Sequence, residues 1–93
     1  MNRKKLYIAR KKIDQIDRKI FSLVKKRTRV VQYMLRLKKF KSQIVDHKRI
    51  NEILKNIKKK SVKNKIDPKV TQRIWRSMIW GYVEYQRRNF KEK

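Results

Sequence analysis

The chain has no cysteine. That removes disulfides, thiolate metal ligands and thiol nucleophiles at once, and leaves nothing to tie the protein to an oxidising compartment. One glycine and one proline serve the whole chain. Tight turns and strand connections draw on those two residues, so a sheet of short strands has no punctuation to work with and helix is what remains. Acidic residues are scarce too: seven, against thirty-one lysines and arginines, for a formal net charge of +24. Long apolar runs are missing. The basic opening Met1 to Lys5 is followed only by Leu6 to Ala9 before Arg10, far short of a membrane span or the apolar core of a signal peptide. The expectation is a soluble, cytoplasmic protein.

What is present supports one small domain spanning residues 1–93. Hydrophobic residues make up 39% and aromatics 10%, enough to fold despite the high charge. A lone globule of this length has a radius of gyration of about 13 Å. The charge by itself suggests nucleic acid or an anionic surface as partner. However, the basic residues are spread along the whole chain, no aromatic platform interleaves them, and no zinc-finger, RNA-recognition or basic-zipper signature occurs. Lysine, isoleucine and asparagine are enriched together, as drift toward AT-rich coding would deposit on solvated faces. The charge therefore reads as solvated surface, with a non-catalytic basic nucleic-acid-binding helical protein as the alternative of another class.

Three helices follow from the periodicity. From Arg3 to Lys39, Ile13, Ile16, Ile20, Leu23, Val24, Val30, Val31, Met34 and Leu35 recur at steps of three and four, the spacing of one helical face. Ser42 to Val45 interrupts the pattern. Asp46 is an N-cap candidate for a second helix running through Ile50, Ile53, Leu54 and Ile57 to Lys60, and a polar connection spans Lys58 to Lys65. Asp67-Pro68 starts a third helix, an acidic cap followed by proline at the first helical position, which continues through Val70, Ile74, Met78 and Tyr82 to Phe90. A helix of about 35 residues is roughly 50 Å long at 1.5 Å per residue. That exceeds what one small globule can cover, so its apolar stripe calls for a second copy and an intertwined homodimer. A bend near Lys25 to Thr28 would instead permit a monomeric bundle.

Conventional catalytic apparatus is nearly missing. The single His47 follows the candidate cap and reads as an exposed first-turn residue; Asp14 and Asp17 read as partners for neighbouring lysines. No metal-ligand cluster, hydrolase triad or glycine-rich phosphate loop is present, and no metal or cofactor is expected. Cations on helices remain. Arg27 and Lys38 are eleven residues apart, within about 20° on one helical face at 100° per residue, which makes a cradle for an anion. Arg10 falls about 100° away from Arg27 and could join the same pocket from a partner helix. Tyr82 and Gln86 share a face of the third helix, and Gln86 is polar where the apolar run would favour another aliphatic.

The run ARKKIDQIDRKIFSLVKKR, then LKKFKSQIVDHKR, then IDPKV to WGYVEYQ resembles the all-α chorismate mutase family along almost the entire chain. The resemblance implies a three-helix intertwined dimer acting on chorismate. In it Arg10 from the partner chain, Arg27 and Arg49 would hold the substrate carboxylates. Lys38 and Gln86 would donate to the ether oxygen, and Asp46 would help bind the ring hydroxyl. Two positions depart from the usual mutase pattern: Ile50 stands where a glutamate commonly follows the arginine, and Tyr82 where a small serine is frequent. With the FKS segment at Phe40 to Ser42 and the IWGYVEYQ ending, they are similar to isochorismate pyruvate lyases, a salicylate-forming branch of the same fold. Mutase is the leading expectation and lyase the same-fold alternative.

Overall fold

The computed structural model describes residues 2–92. It is all-α: α1 spans Asn2–Leu37, a single 3-10 turn spans Lys41–Gln43, α2 spans His47–Lys63 and α3 spans Pro68–Asn89. The starts of α2 and α3 have a visible local cause. The Asp46 carboxylate accepts the backbone N–H of Arg49 at 3.0 Å, and Asp67 accepts that of Lys69 at 2.9 Å, with Pro68 in the first turn. Both satisfy donors that a helix N-terminus otherwise leaves open.

The ends differ from expectation. Helix α1 stops two residues early, at Leu37, because the chain turns at Lys38. Helix α2 runs three residues further, to Lys63, and ends without glycine. The N–H of Ile66 bonds the Ser61 carbonyl at 2.9 Å and that of Lys65 bonds the Val62 carbonyl at 3.2 Å, while Lys65 takes a left-handed φ of 58°. This is the paired-bond closure that usually recruits glycine; here a lysine adopts it.

The chain divides into two compact units, one up to Gln32 and one from Tyr33 onward. The first consists of α1 residues, and its apolar stripe of Ile13, Ile16, Ile20 and Leu23 is exposed. The second holds the buried hydrophobic cluster. Ile79 and Val83 of α3 are four apart and close over Ile44, with Val45, Ile50, Ile53, Leu54 and Phe90 packed around them. Away from that cluster, α2 and α3 are joined by a hydroxyl pair: Ser61 Oγ and Thr71 Oγ1 lie 2.6 Å apart, and Ser61 also donates to the Ile57 carbonyl. A polar contact at a helix pair is favourable when every member finds a partner, as here.

Candidate functional site

Lys38 is the first residue past α1, and its backbone N–H bonds the Leu35 carbonyl at 3.2 Å. Its ammonium donates to Gln86 Oε1 at 2.7 Å, joining residues 48 apart in sequence. Gln86 is only 7% exposed, because it continues the face of α3 that carries Ile79 and Val83. Its Nε2 donates to the Tyr82 carbonyl one turn earlier at 3.3 Å. The amide is therefore held from both sides, with its oxygen toward a cation. Counting donors, one Gln86 N–H and two Lys38 N–H groups remain for a further acceptor.

Burial lowers the Lys38 pKa below the ordinary lysine value, and the nearby Asp46 carboxylate, raising it, offsets part of that effect. A partly desolvated ammonium interacts more strongly with negative charge than one in bulk water. The side chains of Lys38 and Gln86 thus form a small donor cluster with incomplete hydration.

The other expected residues are placed as follows. Asp46 faces Lys38 electrostatically while one of its oxygens caps α2. Arg49, one turn into α2, has a side chain 64% exposed, with Glu52 at 3.9 Å; such a surface pair contributes little to stability. Tyr82 is half-buried and contributes its carbonyl to Gln86. Ile50 packs against the Ile44, Ile79 and Val83 core, so its apolar character has a packing cause. Arg10 is exposed and Arg27 half-buried, both on the part of α1 that belongs to the first unit. His47 is exposed in the first turn of α2. Among the described residues, no group of three or more histidine, cysteine or acidic side chains could hold a metal ion, and no helix is long and apolar enough to cross a membrane.

A scan against protein-family models matches residues 9–87 to chorismate mutase type II. The chain belongs to that family. No curated protein and no solved structure matches it. The matched stretch includes Arg10 near one end and Gln86 near the other, so every candidate residue named above lies inside the chorismate mutase type II region.

One residue of this region was missed in the sequence. Gln43 Oε1 accepts the backbone N–H of Lys39 at 2.8 Å and of Phe40 at 2.9 Å, bridging the segment that follows Lys38. A glutamine three residues into a turn can signal such a bond, but only behind a serine, threonine or acidic cap. Phe40 occupies that place, so the pattern carried no readable mark.

Proposed function

We propose that the protein is a chorismate mutase, converting chorismate to prephenate by a Claisen rearrangement, and that Lys38 and Gln86 act at the ether oxygen. One observation carries the reading: the 2.7 Å contact between the Lys38 ammonium and the buried Gln86 amide. In this reaction the ether C–O bond breaks as a C–C bond forms within the same molecule. No proton is transferred and no nucleophile is consumed. The catalyst must hold a compact conformer and stabilise negative charge growing on the ether oxygen.

The contact suits that task. An ether oxygen competing for the ammonium displaces Gln86 Oε1, and a half-turn of the amide offers Nε2–H to the same oxygen. The half-turn gives up both bonds of the amide, the 2.7 Å contact with Lys38 and the 3.3 Å bond to the Tyr82 carbonyl, and the ether oxygen takes over as acceptor for both side chains. Arg27, Arg49 and Arg10 of a second chain would bind the two carboxylates, where the forked guanidinium matches carboxylate geometry. Asp46 would take the ring hydroxyl.

The homodimer belongs to the same proposal. The exposed apolar stripe Ile13, Ile16, Ile20 and Leu23 supports a second chain packing along α1, since a soluble protein rarely leaves so continuous a stripe in water. The cytoplasm is the compartment proposed, consistent with a chain free of cysteine. Mutase is favoured over isochorismate pyruvate lyase because Ile50, one of two residues resembling the lyase pattern, is occupied in the α2–α3 core.

Product analysis tests this. Purified protein is incubated separately with chorismate and isochorismate, beside an Arg27→Ala control, and its mass in solution is determined by sedimentation. Prephenate from chorismate, lost in the control, supports the mutase. Salicylate and pyruvate from isochorismate would replace it with the lyase. Turnover of neither, with salt-sensitive binding to arbitrary DNA, would turn the account toward the nucleic-acid-binding alternative.

A further inference from the structure

We infer that Gln43 is a positioning residue for Lys38, holding the turn after α1 so that the ammonium meets Gln86. The inference rests on the reading that Lys38 acts on the substrate, but the contact it describes stands on geometry of its own.

Apolar burial does not hold this turn. Leu37 is 61% exposed and Phe40 66% exposed; the next buried apolar side chain is Ile44, at 5%. From the last residue of α1 to Ile44, no hydrophobic anchor fixes the backbone. Had α1 continued, the N–H groups of Lys39 and Phe40 would have bonded the carbonyls of Leu35 and Arg36. Instead the Lys38 N–H takes the Leu35 carbonyl, and the chain leaves the helix with two consecutive donors pointing away from it. The Gln43 side-chain oxygen accepts both, at 2.8 and 2.9 Å.

Gln43 is itself fixed at its backbone. Its N–H bonds the Phe40 carbonyl at 3.0 Å, and the Ile44 N–H bonds the Lys41 carbonyl at 3.1 Å, tying the 3-10 turn to the buried Ile44. A continuous set of contacts therefore runs from the core at Ile44, through Gln43, to the two peptide groups immediately after Lys38. Beyond it, the Lys38 side chain is held by its bond to Gln86. Without Gln43, Lys38 keeps the bond of its N–H to the Leu35 carbonyl, but the chain beyond it is released and the side chain is held by the contact that the substrate must break.

The bonds made by Gln43 lie in exposed positions, where water can replace a lost partner and the net cost to folding is small. The effect of removing them should thus fall on geometry more than on stability. Misplacing a reacting group by about 1 Å costs on the order of 10²-fold in rate, and a loosened turn that keeps the correct position part of the time should cost less.

The test compares Gln43→Met, which fills similar volume without an acceptor, with Gln43→Glu, which retains an oxygen for both N–H groups. Chorismate turnover, thermal midpoint and the NMR titration of the Lys38 side-chain carbon beside the ammonium are measured in each. Gln43→Met should lower kcat by roughly tenfold with KM and thermal midpoint near wild type, and Gln43→Glu should restore most of it. In Gln43→Met the Lys38 titration should also move back toward the ordinary lysine value, with Asp46 the charged neighbour in both proteins. Wild-type kcat in Gln43→Met, or a loss that Gln43→Glu does not repair, would overturn the inference. The titration needs no substrate. If wild-type protein turns over no chorismate, the proposed function fails, whereas an unchanged Lys38 titration in Gln43→Met separately removes the positioning role.

Discussion

Replacing Gln86 by glutamate probes the site more sharply than deleting it. The side chains have nearly the same shape, and position 86 is almost fully buried with the Lys38 ammonium 2.7 Å away. Glutamine can present its oxygen to Lys38 or, turned, its N–H to an ether oxygen. An ionised glutamate can only accept, so the half-turn gains nothing and the developing charge meets a like charge. Loss of one preorganised donor costs about 10² to 10³ in rate, and Gln86→Glu should fall by that much at neutral pH. A protonated glutamate donates again. Turnover should therefore rise as pH falls, about tenfold per unit until the carboxyl is mostly protonated. Pairing with Lys38 lowers the pKa of this carboxyl and burial raises it. Their balance sets the midpoint of the rise, whereas its direction follows from the chemistry alone. The assay is chorismate disappearance from pH 4.5 to 8, with circular dichroism at each pH to confirm folding. Wild type should show no comparable acid-favoured rise. Wild-type activity in the variant at neutral pH, or activity that increases with pH, would refute the assignment of Gln86 as a donor.

Lys38 predicts opposite pH trends for activity and stability. Its folded-state pKa lies below the unfolded value of 10.5, so the charged lysine costs stability at neutral pH, and that cost is relieved as pH rises through the folded value toward 10.5. Turnover, which needs the ammonium, should fall over the same alkaline window. The denaturant midpoint of wild type relative to Lys38→Met should rise over that window, and a difference that stays constant to pH 11 would contradict this. Gly81 lies inside α3, and a Cβ built there meets nothing within 4 Å. Gly81→Ala should therefore stabilise by about 0.5 to 1 kcal/mol in denaturant unfolding, and a loss of stability would mean that another surface covers this face. With +24 net charge, like-charge repulsion opposes the compact state and salt screens it. The thermal midpoint should rise with ionic strength or phosphate, and identical melts at low and high salt would count against this.

The features legible in the sequence were those whose causes are local. Asp46 and the Asp67-Pro68 pair marked two helix starts because capping involves neighbours within three residues. The apolar steps from Ile13 to Leu35 marked α1 because a helix repeats its face every three to four residues. The end of α2 was hidden because Lys65 takes a left-handed conformation with no glycine to announce it. Gln43 was hidden behind Phe40, which is no cap residue. The contact between Lys38 and Gln86 spans 48 residues, and no spacing rule reaches across two helices. Its one mark was a polar side chain closing the apolar stripe of α3, and only the family resemblance gave that mark a partner. Ile50 shows the reverse hazard: its identity invited a functional reading, and the fold supplies a packing one.

The most direct test of the central claim is the kcat for prephenate formation by wild type and by Lys38→Met, with thermal midpoints measured in parallel. The wild-type protein should form prephenate, and Lys38→Met should show a kcat lower by about 10² to 10³ with the fold intact. A folded Lys38→Met that forms prephenate at the wild-type rate would contradict it, as would a wild-type protein that leaves chorismate unchanged.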